Sequence, residues 1–146
     1  MNNNAENPQK GKDFEKIVQN WAEGYFERDF VSEAPVDIGN PPRPHRFDLV
    51  SEDNKIVIEC KCYTWTESGN VPSAKLATLD EAILYMRSIA CSMQKNIAMK
   101  YSWNEKKNIS LADYFCEKKG HLLGDISVWE IDEEGDFRLI RDGQGF

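Results

Sequence analysis

The sequence predicts an α/β domain built on a mixed β-sheet flanked by helices. Three observations carry that expectation. Phe14, Ile17, Val18, Trp21 and Tyr25 recur at helical spacing near the start. Extended, β-rich runs follow at 30–38, 46–50 and 55–63, with turn residues between them. Helical and extended segments then alternate to the end, and a sheet covered by helices is the natural way to bury all of their apolar faces.

Taken in order, residues 1–11 (MNNNAENPQKG) are polar and aperiodic and read as a flexible arm. The remaining residues, 12–146, read as one domain. Asp13 is placed to cap an amphipathic helix over 13–28. Phe30 to Ile38 reads as a strand made irregular by Pro35. Residues 39–44 (GNPPRP) read as a loop, because three prolines oppose a ladder. Arg46 to Val50 is a short strand, 51–54 a turn, and Lys55 to Tyr63 a strand whose Ile56, Val57 and Ile58 suggest burial on both faces. Residues 64–73 form a loop carrying Trp65. Thr78 with Glu81 resembles a capping box, and the apolar spacing continues a helix to about residue 95. A strand over 96–103, a helix over 110–119 closed by Gly120, and a hairpin of 125–131 with 136–141 complete the chain.

Composition limits the function classes. With 40% apolar and 11% aromatic residues in 146, the chain is globular and large enough to need no disulfide or structural metal. Cys60, Cys62, Cys91 and Cys116 form no CxxC pair, and His45 and His121 stand apart, so no zinc site is expected. No apolar run approaches a bilayer span and no signal-peptide pattern opens the chain, so a reducing cytoplasm is the expected setting, with no membrane contact. The net charge of -7 argues against a nucleic-acid partner. Its distribution softens the objection: residues 122–146 carry seven acidic groups against two basic, whereas 79–121 carry seven basic against five acidic.

The stretch that bears chemistry is His45-Arg46-Phe47-Asp48-Leu49-Val50 followed by Ile56-Val57-Ile58-Glu59-Cys60-Lys61-Cys62. Alternation puts Val57, Glu59, Lys61 and Tyr63 on one face of the strand and Ile56, Ile58, Cys60 and Cys62 on the other. Folding at the 51–54 turn is expected to bring Asp48 opposite a residue near 57, one diagonal step from Glu59. Neighbours of that kind lie roughly 5–8 Å apart. Two carboxylates there can hold a hard cation, and the Lys61 ammonium can orient water or offset phosphate charge. Acid-x-Lys also occurs at Asp53, Glu105 and Glu117, but only Glu59-Cys60-Lys61 lies in an apolar strand, where an unpaired charge is costly. A cross-strand ion-pair network of Asp48, Glu59 and Lys61 explains the same residues without metal.

These segments resemble the PD-(D/E)XK nuclease superfamily, which has the restriction-endonuclease-like fold. The resemblance implies an αβββαβ core over about residues 12–103, with Asp48 and Glu59 as metal ligands and Lys61 as the catalytic lysine. Gly11-Lys12-Asp13-Phe14-Glu15 is similar to the first-helix motif of many members, which implies that Glu15 supports the metal. Phe47 stands where the motif name has Pro, and residues 104–146 carry no match. The implied activity is hydrolysis of phosphodiester bonds, in DNA by expectation, with Mg²⁺ or Mn²⁺, by an endonuclease or exonuclease for which a homodimer is a candidate assembly. The alternatives are a catalytically inactive module of this fold that binds nucleic acid or a partner protein, and a metal-dependent enzyme acting on another phosphate compound. Asp37 is a second candidate for the first acid. Lys75 and Trp65 are candidate nucleic-acid contacts, the first to phosphate and the second, with Tyr63, by stacking on a base.

Overall fold

A computed structural model describes residues 8–143. Helix α1 (Pro8–Phe26) begins earlier than its periodicity indicates. Residues 8–11, expected in the arm, belong to its first turn, where a proline suits a position that needs no N–H bond. Residues 1–7 of the expected arm lie outside the described residues. Asp13 is therefore inside the helix rather than at its cap, and its Oδ1 accepts from Gln9 Nε2 at 2.8 Å, one turn earlier.

Strands β1 (Phe30–Ile38), β2 (Arg43–Ser51) and β3 (Ile56–Lys61) follow. β2 starts three residues before the expected strand and includes Pro44, paired with Asp37. Its pairs with β3 are Leu49 with Ile58 and Val50 with Val57, so Pro44 lies in a stretch with a sheet neighbour on one side only. A residue without an N–H is tolerated there.

Helix α2 spans Ser73–Arg87. Thr78 is not its cap: the helix starts after Pro72, and the Thr78 hydroxyl donates to Lys75 O at 2.7 Å. Nor does the helix reach 95, because Gln94–Lys100 forms strand β4 and pairs in parallel with β3. A small hairpin of β5 (Trp103–Asn104) and β6 (Ile109–Ser110), not foreseen from sequence, leads into α3 (Leu111–Lys119). Ser110 caps α3 by accepting the Asp113 N–H at 3.1 Å. Gly120 does not close it in a left-handed turn: its φ is -54°, and the chain runs on through a 3-10 turn to Gly124, whose φ is +58°. β7 (Ile126–Ile131) and β8 (Phe137–Arg141) form the terminal hairpin.

The order in the six-stranded sheet is β1-β2-β3-β4-β7-β8. The β3–β4 and β4–β7 pairs are parallel and the others antiparallel. Among the described residues this is an α/β architecture with a mixed sheet and three α-helices. α1 covers one face, packing Phe14, Val18, Trp21 and Ala22 against Leu49, Ile56, Ile58, Ala98 and Trp129. α2 and α3 cover the other, with Leu79, Ile83, Met86, Leu111 and Phe115 over Val57, Ile97, Met99 and Val128. No helix among the described residues is long and apolar enough to cross a membrane.

Candidate active site

The turn between β2 and β3 sets the site. Asn54 takes a left-handed φ of 58°, and Ser51 Oγ accepts the N–H groups of Lys55 (3.1 Å) and Ile56 (2.9 Å). This wider turn shifts the hairpin register from the one expected. Continued by one residue from the Leu49–Ile58 pair, it sets Asp48 level with Glu59 itself and not with position 57.

Here the two strands exchange side-chain bonds. The Asp48 N–H donates to Glu59 Oε1 at 3.0 Å, and the Cys60 N–H donates to Asp48 Oδ2 at 2.8 Å. Each carboxylate thus holds the opposite strand through one oxygen. Glu59 Oε2 faces the Lys61 ammonium at 3.9 Å, with both side chains mostly buried.

The alternation of β2 also changes at Asp48. Leu49 joins the cluster under α1, yet Phe47, two residues away, joins the cluster under α2 and α3. Opposite this point on β1, Glu33 adopts a φ of 50°, an uncommon state for a residue with a Cβ. Along β3 and the two residues after it the expected alternation holds: Val57 and Tyr63 pack on the α2 side, and Ile58, Cys60 and Cys62 on the α1 side.

The end of β3 and the first turns of α1 enclose a cleft of about 280 Å³. Glu15, Asp48, Glu59, Lys61, Tyr63 and Lys75 line it, together with Lys10, Gly11, Phe14, Cys60 and Cys62. The Lys61 and Lys75 ammonium groups lie 5.9 and 5.7 Å from the Tyr63 ring centre, and the Tyr63 hydroxyl hydrogen-bonds Thr78 Oγ1.

Crowded carboxylates in a half-buried setting retain protons. Burial first, and then the neighbouring carboxylates Asp48 and Glu33, raise Glu15 to about 7 against the pull of Lys12. Burial also raises both Asp48 and Glu59, and the Asp48 charge adds to the effect on Glu59. The Cys60 thiol is pushed well up by burial and by the Asp48, Glu15 and Glu59 carboxylates, so it stays protonated and is a poor nucleophile.

No family model matches this chain, and no curated protein or solved structure matches it either.

The functional reading therefore rests on residues and geometry. Glu15, Asp48, Glu59, Lys61 and Lys75 share the cleft. Asp37 does not: it is exposed on β1 and lines a separate hollow with Pro42 and Ala90. Nor is Trp65 available for stacking on a base. It is buried against the Tyr114 ring, and its Nε1–H donates to Ser102 O at 3.1 Å. Lys10 in the cleft, and Glu33 beside it, were not singled out from sequence; Gly11 was, as the small residue opening the first-helix motif. Lys10 fell in the expected arm, and the backbone of Glu33 leaves no mark in composition.

Among the described residues no three His, Cys, Asp or Glu side chains converge as a full ligand cage. Asp48 and Glu59 form a two-carboxylate, all-oxygen donor set. That set fits Mg²⁺, which is commonly held by one or two carboxylates with water and substrate phosphate completing its shell.

Proposed function

We propose that this protein is a divalent-metal-dependent nuclease that hydrolyses phosphodiester bonds, with DNA as the first substrate to test. The observation that carries the reading is the joining of Asp48 and Glu59 across the β2–β3 hairpin, with Lys61 3.9 Å from Glu59, in a cleft open to solvent. The order α1-β1-β2-β3-α2-β4 agrees with the αβββαβ core that the PD-(D/E)XK resemblance implies, and so supports a restriction-endonuclease-like assignment.

Asp48 and Glu59 would hold Mg²⁺ or Mn²⁺. The cation supplies positive charge against the phosphate oxygens and acidifies water. The chain's own groups do the rest. Lys61 is placed to orient the attacking water and to offset charge on the phosphate as the new P–O bond forms and the bond to the leaving oxygen breaks. Glu15, at about 7, can carry or release a proton near neutrality at the cleft wall. Lys75, over the Tyr63 ring, is positioned to meet a phosphate from the α2 side.

The reciprocal bonds of Asp48 and Glu59 to backbone N–H groups favour a second reading, in which these charges only hold the hairpin and the fold binds without cutting. One experiment separates the two. Purified protein is incubated with supercoiled plasmid and a single-stranded oligonucleotide under Mg²⁺, Mn²⁺ or EDTA, beside Glu59→Ala and Lys61→Ala. The nuclease reading expects metal-dependent cutting, lost in Glu59→Ala together with Mn²⁺ binding. Lys61→Ala is expected to keep metal and lose about 10²–10⁴-fold in rate, the usual worth of a positioned proton-transfer or orienting group. An absence of Mn²⁺ binding by the wild type would favour the structural network.

A further inference from the structure

The cleft does not end at the carboxylates. A second cavity of about 450 Å³ adjoins it and shares Glu15 and Asp48 as its wall. Lys12 and Lys16 from α1 and Arg46 from β2 line this cavity, and all three are exposed. Lys16 and Arg46 make no ion pair among the described residues. Arg28, Lys95, Lys100, Lys119 and Arg138 elsewhere are each matched to a carboxylate. On the other side, a third cavity of about 430 Å³ shares Lys10, Phe14 and Cys62 with the cleft. Its Lys100 is paired with Glu133 at 3.3 Å, and Asp13 stands beside them, so this side offers little net positive charge.

We propose that Lys12, Lys16 and Arg46 form a phosphate-binding flank on one side of the cleft, which holds a nucleic-acid strand against the site. The inference rests on the nuclease reading above. Its logic is local: phosphates bind to nearby cations, and at ordinary salt the charge of the distant acidic C-terminal segment is screened within about 10 Å. Glu33 is the one acidic group on the flanking cavity besides the shared Glu15 and Asp48. It leaves the three cations in balance with the three acids until a divalent metal neutralises the shared wall, so strand binding and metal binding are expected to support each other.

The test compares wild type with Lys16→Glu/Arg46→Glu, leaving Lys12 untouched because it acts on Glu15. Binding of fluorescent single-stranded DNA and RNA 20-mers is followed by anisotropy over a salt series, in EDTA and in Mn²⁺. Cutting is scored on single-stranded DNA in Mn²⁺, and Mn²⁺ affinity is measured alone. The flank predicts at least tenfold weaker strand binding and a higher KM in the reversal variant. It also predicts a log–log salt slope smaller by roughly 0.7 per lost contact and a Mn²⁺ affinity that is no weaker. If wild type cuts but the variant shows the same KM and salt slope, the flank is overturned and the nuclease reading stands. If wild type binds without cutting and the reversal weakens that binding, the flank stands and the nuclease reading fails. If wild type neither binds nor cuts a strand, both fall.

Discussion

Glu59 is held by the backbone of Asp48 and by Lys61, and it keeps its proton more tightly than a solvated carboxylate does. Its value, like that of Glu15, rises from an ordinary 4.5 to about 7. Between those values the folded chain binds more protons than the unfolded chain. The metal-free protein is therefore expected to lose stability as pH rises through that window and to level off above it. Thermal melts at pH 5.5 and 8 should show the fall for wild type and a smaller fall for Glu59→Gln; equal falls would remove Glu59 as a cause. Metal must displace the retained proton, so Mn²⁺ affinity should climb as pH rises toward 7. A flat profile would mean that the carboxylates are already ionised. Glu33 makes a separate prediction. Its φ of 50° is poorly tolerated by β-branched side chains. Glu33→Val should cost about 1–3 kcal/mol in denaturant unfolding, and Glu33→Gly should not.

At the scale of elements, the β2–β3 hairpin and the loop after it decide which side chains reach the cleft. Trp65 pins that loop to the corner after β4: its backbone N–H and its Nε1–H both donate to Ser102. Trp65→Ala should lower stability by about 3–5 kcal/mol, as large-to-small core changes do, and leave Mn²⁺ affinity largely intact if the protein stays folded. A selective loss of strand binding with normal stability would instead mark Trp65 as a stacking residue. These elements also show what was legible beforehand. The placing of Glu59-Cys60-Lys61 in an apolar strand was readable because burying charge is costly, and β1 was readable to the residue despite Pro35. Trp65 was not, because its partner Ser102 is 37 residues away and its own neighbours are polar. Thr78 with Glu81 imitated a cap, while Pro72 started the helix. The register around Asp48 depended on the left-handed Asn54, which the turn's composition permitted without specifying.

At the scale of the whole molecule, one sheet carries two unlike surfaces. The α1 side buries an aromatic group of Trp21, Phe26, Phe30 and Trp129, and its first turns wall the cleft. The α2–α3 side is the broader apolar layer. The net charge of -7 is spread unevenly across this frame, and Lys16 and Arg46, without an ion pair among the described residues, stand beside the carboxylates. Strand binding should therefore weaken steeply with salt even though the protein is acidic overall, and a salt-independent affinity would count against a phosphate-led contact.

The left-handed Glu33 and Pro35, two residues on, lie on β1, the first strand of the sheet order, which among the described residues has β2 as its only sheet neighbour. A straight outer strand is a template on which other chains can extend the sheet, and proline and local kinks are the usual protections. The bend opposite Asp48 thus also guards against self-templating. Straightening it, with Glu33→Thr and Pro35→Val together, should yield a protein that clouds on warming even where its carboxylates are intact.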